Sequence, residues 1–212
     1  MGCRFDHIAI EGPIGVGKTT LARRLATRLN ASLLLEAPAD NPFLERFYGN
    51  PSAWALSTQL SFLLQRARQF GDLRQGDLFR EQLVADFMLA KDRIFARLNL
   101  AADELDLYEQ VYAHVIERQV PPDVIIYLYA PVQTLLERIA RRGIDYERTI
   151  SAEYLEDLAG AYRDYFEVEV PARLLWVDTV SADFVHRPEH LERLVSCLDD
   201  LSPGRQYFDP SG

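Results

Sequence analysis

The chain has 212 residues, of which 48% are hydrophobic and 11% aromatic, enough to bury the core of one sizeable globular domain. With 32 acidic and 23 basic residues its net charge is −9, which argues against a general nucleic-acid binder or a protein of anionic membrane surfaces. The two cysteines lie near opposite ends, and no apolar run reaches the roughly 18 residues of a membrane-spanning helix. We therefore predict a cytoplasmic protein with one domain over residues 1–202 and a loosely held tail over residues 203–212.

The predicted elements alternate between strands and helices along the chain. Apolar runs predict five strands, at residues 5–10, 32–35, 83–86, 124–129 and 174–177. Helical spacing and helix-terminating residues predict helices at residues 17–30, 41–50, 51–70, 87–98, 103–118, 132–142, from 151 onward and at 188–201. This alternation is typical of an α/β protein whose five-stranded parallel sheet is covered by helices on both faces.

The first predicted strand runs into the segment GPIGVGKT, which fits the pattern G-x-x-x-x-G-K-[ST] of a phosphate-binding P-loop. Glycines let backbone N–H groups surround an anion, and the helix that follows adds its own free N–H groups. In this pattern Lys18 reaches the β- and γ-phosphates of a nucleotide, while the Thr19 hydroxyl ligates Mg²⁺. The predicted nucleotide-binding residues of this segment are Gly12, Pro13, Ile14, Gly15, Val16, Gly17, Lys18, Thr19 and Thr20.

One carboxylate follows the second predicted strand and another ends the third, at the edge where parallel sheets bind ligands. Glu36 is placed there to accept the proton of a hydroxyl that attacks a phosphoryl group, although a glutamate in a surface loop explains it equally well. Asp86 is suited to hold Mg²⁺ through water, or to cap the helix that follows. Gln59 and Arg66 lie seven residues apart, on one face of a predicted helix, and offer an amide and a guanidinium to one ligand.

Four arginines, at positions 138, 141, 142 and 148, surround a glycine at position 143. Guanidinium groups match phosphate oxygens in geometry and charge, so this stretch is suited to close as a lid over a nucleotide. Arg141 and Arg142 are also explained as cations at the C-terminus of a helix, but Arg148 lies after the turn and is not. We therefore favour a lid.

Several segments together resemble the deoxynucleoside kinase family, the P-loop enzymes of nucleoside salvage. The similar segments extend from residue 7 to about residue 201 and read IAIEGPIGVGKTTLARRLA, EAPADNPFLERFY, TQLSFLLQRARQ, KDRIFA, DVIIYLYAP, RIARRG and EYLEDL. The resemblance implies a P-loop kinase fold with an arginine-rich lid, ATP as the phosphate donor with Mg²⁺, and a homodimer. It also implies phosphorylation of the 5′-hydroxyl of a deoxyribonucleoside, with a purine favoured by similarity to a bacterial-type branch.

The same resemblance implies roles for single residues. Glu36 takes the position of the general base, with Lys18 and Arg142 as further catalytic groups. The other implied contacts are Tyr48 and Glu147 with the sugar 3′-hydroxyl, Gln59 and Arg66 with the nucleobase, Phe95 stacked on the base, Asp86 with substrate and metal, Arg138 and Arg142 with phosphates, and Asp183 and Phe184 with the adenine of ATP.

One departure from the family pattern follows the third predicted strand. Well-studied members carry Glu-Arg-Ser there, with the arginine near the reacting phosphate, whereas this chain has Ala85-Asp86-Phe87. Without gaps, the base-reading aspartate of the family falls on Lys91; with one deletion, Asp92 takes that role and Asp86 replaces the glutamate. The arginine is absent in either register, and both registers stay open.

Two other functions fit the P-loop and stay open as alternatives. A nucleoside monophosphate kinase of the thymidylate type shares the fold but needs extra cations for the acceptor phosphate. The predicted acceptor pocket offers Arg66 as its only cation, and carboxylates at positions 36 and 147 would repel a phosphate. A regulatory module that binds ATP without transferring phosphate is favoured only by the missing arginine.

Overall fold

The computed structural model describes residues 4–76, 82–117, 121–169 and 172–211. Its strands are β1 (His7–Glu11), β2 (Ser32–Leu34), β3 (Leu83–Ala85), β4 (Val124–Tyr129), β5 (Arg173–Asp178) and β6 (Gly204–Tyr207). Its α-helices are α1 (Lys18–Leu29), α2 (Leu44–Gly49), α3 (Pro51–Gly76), α4 (Lys91–Asn99), α5 (Ala102–Ile116), α6 (Val132–Arg142), α7 (Ala152–Val168) and α8 (Pro188–Asp200). Two short 3-10 helices, Pro38–Asp40 and Asp145–Thr149, precede α2 and follow α6.

The strands form one parallel sheet in the order β2-β3-β1-β4-β5-β6. Because β1 pairs with β3 on one side and β4 on the other, the winding of the chain changes direction there. Such a change opens a crevice at the carboxyl ends of the strands, where α/β sheets bind ligands. Glu36 and Asp86 follow β2 and β3 at this edge. The predicted α/β fold with a parallel sheet is confirmed.

The sheet has one strand more than the five that we predicted. Residues 204–207 form β6, which pairs in parallel with β5 and brings part of the expected loose tail into the sheet. This strand reads GRQY, with alternating half-buried and exposed side chains, so no apolar run marked it in the sequence. The next residue, Phe208, is buried, and its ring centroid lies 6.1 Å from that of Phe184.

Helices pack on both faces of the sheet, as the near-continuous apolar strands predict. Ile8 and Ile10 of β1 belong to one buried cluster with residues of α1 and α8. Ala9, between them, belongs to a second cluster with residues of α4 and α7. The alternation shows that successive side chains of one strand face opposite layers. The P-loop therefore begins at the end of a strand, β1, that is packed against helices on both faces of the sheet.

Two helix boundaries differ from the prediction by four residues or more, and one of them bears on the site. The helix expected from residue 87 begins only at Lys91, with Ala90 as its N-cap, because residues 86–90 first turn away from β3. The helix expected to end at residue 70 continues as α3 to Gly76. None of the helices in the described ranges is long and apolar enough to cross a membrane.

Candidate active site

A cavity of about 980 Å³ lies at the carboxyl edge of the sheet. The P-loop, the segments after β2, β3 and β5, and side chains of α2, α3, α4 and α6 line it. The nucleotide- and substrate-binding residues predicted from the sequence line this cavity, except Gly12 and Pro13, which lie next to it in the P-loop. Of the four lid arginines, Arg148 does not line it and instead pairs with Asp145 at 3.1 Å. Residues expected to bind a phosphate donor and residues expected to bind an acceptor are therefore neighbours in space.

The P-loop packs tightly against the sheet and then curls into α1. Gly12 has φ +143°, and a Cβ there would lie 2.3 Å from the backbone oxygen of Leu128 in β4, so only glycine fits. Gly17, with φ +107°, is the N-cap of α1, and the first turn of that helix, whose N–H groups have no partner within the helix, lines the cavity. The Lys18 Nζ donates to the backbone oxygens of Gly12 (2.7 Å) and Pro13 (3.1 Å). Burial, together with the charge of Lys91, lowers the pKa of Lys18 to about 8.

Asp86 joins the P-loop helix to the segment after β2. Its Oδ2 accepts a hydrogen bond of 2.5 Å from the Thr19 hydroxyl, and its Oδ1 accepts one of 2.7 Å from the Glu36 backbone N–H. Because Ala90 is the N-cap of α4, the interpretation of Asp86 as a helix cap is wrong. A buried carboxylate beside a hydroxyl supplies the hard oxygen ligands that Mg²⁺ prefers.

This pair fits the kind of site that Mg²⁺ uses. The ion is commonly held by one or two carboxylates and keeps several waters, so it needs no dedicated protein cage. Within residues 4–76, 82–117, 121–169 and 172–211, no group of three or more His, Cys, Asp or Glu is arranged to hold a metal. Thr19 and Asp86 are thus the residues in the cavity best suited to hold it, by direct contact or through water.

Glu36 lies between two cations at the acceptor end of the cavity. Its Oε1 accepts a hydrogen bond from Arg66, and its Oε2 accepts one of 2.8 Å from the Lys91 Nζ. Burial opposes ionisation of Glu36, but the charges of Arg66 and Lys91 outweigh it and hold the pKa of this carboxyl well below its usual range. With its side chain only 14% exposed, Glu36 is no surface-loop residue, so that alternative is wrong.

Lys91 and Asp92, the two residues left open by the alignment, differ in what they contact. The Arg66 guanidinium donates to Asp92 with Nη1 and to Glu36 with Nη2. Lys91 donates to the other oxygen of the Glu36 carboxylate. Asp92 is therefore the acid that contacts the predicted base-reading arginine, which fits the one-deletion register, but it is fully buried, and of the two residues only Lys91 lines the cavity. The expectation that Arg66 is the only cation of this pocket is wrong, because Lys91 also lines it.

The predicted sugar-binding residues meet near the end of α6. The rings of Tyr48 and Tyr146 stack with centroids 5.6 Å apart. Glu147 is buried beside them, and Arg142 donates to its Oε2 through both Nε, at 3.0 Å, and Nη2. Burial, reinforced by neighbours that include Tyr154 and Glu147, raises the pKa of Tyr48 above its usual range, so this phenol keeps its proton. The lid arginine and the predicted sugar carboxylate are thus directly joined.

Arg138 of α6 and the loop that follows β5 form another wall of the cavity. Arg138 donates to Thr179 Oγ1 (2.7 Å), to the Thr179 carbonyl (2.8 Å) and to the Val16 carbonyl (3.2 Å), so it ties the P-loop to this loop. Asp183 accepts hydrogen bonds of 2.9 Å from two backbone N–H groups and from the His186 ring, which lower its pKa to about 2. The Phe184 side chain is buried and also lines the cavity.

The predicted base-contacting side chains lie on facing helices. Gln59 of α3 is 3% exposed, and its side chain lines the cavity. Phe95 of α4 lines it too, and its ring meets Tyr162 edge-on with centroids 6.4 Å apart. The Lys91 Nζ lies 5.5 Å from the Phe95 centroid. An amide, an arginine paired with a buried carboxylate behind it, and an aromatic ring therefore lie at one cavity, a set that suits the recognition of a planar heterocycle.

Sequence reasoning missed Glu11, the last residue of β1. Its carboxylate is fully buried and accepts hydrogen bonds from the Met88 backbone N–H (2.7 Å), the Tyr162 hydroxyl (2.8 Å) and the Gly12 backbone N–H (3.2 Å). Burial raises the pKa of Glu11, while the charges of Lys91 and Lys18 oppose that rise. The signal was an acidic residue at the end of an otherwise apolar strand, directly before the P-loop.

Comparison with known proteins places this geometry in a family. The family model for deoxynucleoside kinases matches residues 8–202. A deoxyguanosine kinase of Bacillus subtilis is 36% identical over 92% of this chain and 96% of its own, and a deoxyadenosine kinase of Dictyostelium discoideum is 33% identical over 76% and 66%.

A solved structure of deoxyadenosine kinase from M. mycoides with bound dCTP has a TM-score of 0.77 and 25% identity, covering 91% of this chain and 98% of that one. The family that the sequence segments resemble is therefore confirmed. With a family match over nearly the whole chain and the P-loop and acceptor residues in one cavity, the chain belongs to the deoxynucleoside kinase family and is a kinase of deoxynucleosides.

Proposed function

We propose that this enzyme transfers the γ-phosphoryl group of ATP to the 5′-hydroxyl of a purine deoxynucleoside. The observation that carries the proposal is the position of the Glu36 carboxylate, in the same cavity as the P-loop and paired with Arg66 and Lys91. The similarity to a deoxyguanosine kinase and a deoxyadenosine kinase supports a purine as the base.

At the donor end, the P-loop amides and Lys18 bind the β- and γ-phosphates of ATP. Thr19 and Asp86 would hold Mg²⁺, which when bound neutralises charge on the phosphate oxygens. Arg142 lies on the lid side and is 45% exposed, so it can reach phosphate oxygens while it stays in contact with Glu147. Since little covalent work remains for the protein in phosphoryl transfer, positioning and electrostatics carry the rate.

At the acceptor end, Glu36 orients the 5′-hydroxyl toward the γ-phosphorus. Its lowered pKa keeps it ionised at neutral pH, so it accepts a hydrogen bond from the hydroxyl. The same low pKa makes it a weak base, and we therefore assign it the proton as the new O–P bond forms rather than before attack. Tyr48 and Glu147 bind the 3′-hydroxyl, and their contact with Arg142 links sugar binding to the lid.

The base is recognised by Gln59 and the Arg66–Asp92 pair, with the Phe95 ring stacked on it. Arginine donors suit N7 and O6 of guanine, whereas an amide or a carboxylate accepts from an exocyclic amine. Both purines present N7, so this donor and acceptor set serves either of them. Because the polar groups are buried, a base that leaves them unpaired loses affinity.

The test is the initial rate of ADP formation from ATP and Mg²⁺ with each of the four deoxynucleosides, and separately with dTMP. We expect one or both purine deoxynucleosides to stimulate the rate most strongly. Stimulation by dTMP alone would favour a monophosphate kinase. A basal rate that no acceptor raises would favour the regulatory module. Stronger stimulation by pyrimidines would overturn the assignment of the base.

We also propose a cytoplasmic location and a homodimer, as the family resemblance implies. Cys197 is a free thiol, consistent with a reducing compartment. Leu64 of α3 and Leu107 of α5 are 43% and 49% exposed, and these helices are where we place the dimer interface. Sedimentation equilibrium tests it: a mass of two chains is expected, and a single-chain mass at micromolar concentration would contradict it.

A further inference from the structure

Residues 86–90, between β3 and α4, carry no positively charged side chain that could contact the 5′-hydroxyl or the γ-phosphoryl group. Phe87, which follows Asp86, is fully buried in a cluster with Leu34 and Ala85, and its ring meets Phe70 edge-on at 5.3 Å. This position therefore belongs to the hydrophobic core. Any positive charge between the acceptor hydroxyl and the γ-phosphoryl group has to come from another element.

Lys91, the first residue of α4, brings such a charge. Its side chain is only 5% exposed and lines the cavity, and its Nζ lies 2.8 Å from Glu36 Oε2. Lys18 of the P-loop lines the same cavity. The ammonium group thus contacts the proposed general base and shares its cavity with the lysine proposed to bind the phosphates.

The burial of the Lys91 side chain indicates that its ammonium group has a functional role. A buried ammonium loses several kcal/mol of hydration, so proteins keep one only where it is paired and hydrogen-bonded. An ammonium has three donors, and the bond to Glu36 uses one of them. The neighbouring Asp92 contacts Arg66 and not the Lys91 ammonium, so the two adjacent residues of α4 pair with different groups.

We propose that Lys91 is a catalytic residue. It holds Glu36 toward the 5′-hydroxyl and donates hydrogen bonds to the 5′-oxygen and to an oxygen of the γ-phosphoryl group. The inference rests on the proposed function. In the step, the 5′-oxygen forms a bond to the γ-phosphorus, the bond from that phosphorus to the β–γ bridging oxygen breaks, and ADP leaves. The hydroxyl proton passes to Glu36, and Lys91 keeps its own protons throughout.

The experiment compares Lys91→Met and Lys91→Arg with the wild-type enzyme, using deoxyguanosine, deoxyadenosine and deoxycytidine as acceptors. We expect Lys91→Met to lower kcat on the order of 10²- to 10³-fold, since one preorganised charge contributes about that much. The factor should be the same for each base, with KM for the nucleoside changed less than about 3-fold. Lys91→Arg, which keeps the charge, should recover at least about 10-fold of the loss.

The matched control is Arg93→Met, which removes a cation from the same helix. Arg93 pairs with Glu109 at 3.0 Å and does not line the cavity, so its loss should leave kcat within about 2-fold. Far-ultraviolet circular dichroism and thermal melting of each variant separate loss of catalysis from loss of fold.

Three results would overturn the role of Lys91. These are an unchanged kcat in an active enzyme, a loss that differs between bases and appears mainly in KM, and a loss in both variants that follows their unfolding. If the wild-type enzyme itself phosphorylates no deoxynucleoside, the proposed function fails, and the role of Lys91 fails with it. The wild-type rates therefore distinguish the two failures.

Discussion

The two ends of the cavity are built in different ways. The donor end is made mainly of backbone: one continuous loop, Gly12 to Gly17, joins β1 to the N-terminus of α1, where Lys18 and Thr19 lie. The acceptor end is made of side chains from separate elements. Glu36 follows β2, Arg66 lies on α3, and Lys91 and Asp92 begin α4, yet all four form one chain of buried ion pairs.

This difference explains which part of the site a sequence can reveal. A backbone site needs glycines, a lysine and a hydroxyl at fixed spacing, because all of its groups are local. A side-chain site depends on contacts between residues far apart in the chain, such as Arg66 with Glu36. The donor end should therefore tolerate few changes of backbone, and the acceptor end should respond to single side chains in distinct kinetic parameters.

The largest effect is expected for Lys18→Met, at the donor end. Loss of its charge should lower kcat/KM for ATP by on the order of 10³-fold, because the phosphates lose a half-buried cation that acts most strongly in the transition state. Binding of the nucleoside, measured by isothermal titration calorimetry without ATP, should stay within about 2-fold. A comparable loss of nucleoside binding would show that the two ends are not separable.

Glu36→Gln should produce the next largest effect, and at the acceptor end. The amide keeps the size of the side chain but cannot take the hydroxyl proton, so kcat should fall on the order of 10²-fold. Rapid-quench measurement of a single turnover would report the chemical step alone, and KM for ATP should be unchanged. An unchanged single-turnover rate would remove Glu36 from the proposed role of base.

The next prediction concerns a residue that does not line the cavity, His7, at the start of β1. Burial lowers its pKa from 6.5 to about 4, and its ring packs edge-on against Phe70. The unfolded chain then binds more protons than the folded one between these pH values, so stability falls as pH drops below about 7. The expected loss in free energy of unfolding from pH 7 to pH 5 is about 2 kcal/mol from this group.

His7→Phe should reduce this pH dependence. Urea unfolding of both proteins at pH 7 and pH 5 gives the difference within each protein, so any constant effect of the substitution cancels. The difference should be about 2 kcal/mol smaller in His7→Phe. Equal differences in the two proteins would mean that His7 keeps an ordinary pKa in the fold. Activity per folded molecule at pH 7 should be unaffected, in contrast to the substitutions at either end.

The smallest effect is expected for Gln59→Leu, which tests whether the acceptor end recognises the base through hydrogen bonds. Leucine fills a similar space but offers no hydrogen bond to the base, which should cost about 1–2 kcal/mol of binding, or roughly 10-fold in KM for the nucleoside. Steady-state kinetics should show kcat within about 3-fold of wild type. A fall confined to kcat would instead place Gln59 near the transferred group.

Sequence periodicity revealed β4 and α6 with their observed bounds, because apolar runs and helix-ending residues mark both. It missed β6, whose residues are polar and which exists only by pairing with β5. It also left open whether Lys91 or Asp92 contacts the base. Adjacent residues on a helix point in directions about 100° apart, and no local signal in the sequence says which of them faces the cavity. Glu11 escaped because one of its partners, Tyr162, lies 151 residues away along the chain.

The most direct test of the central claim is ³¹P nuclear magnetic resonance of the product formed from ATP, Mg²⁺ and deoxyguanosine or deoxyadenosine. A phosphate on the 5′-oxygen couples to two protons, whereas one on the 3′-oxygen couples to a single proton. We predict a new phosphomonoester signal that is a triplet, growing in step with ADP. A doublet, or inorganic phosphate as the sole new signal for both nucleosides, would contradict the account.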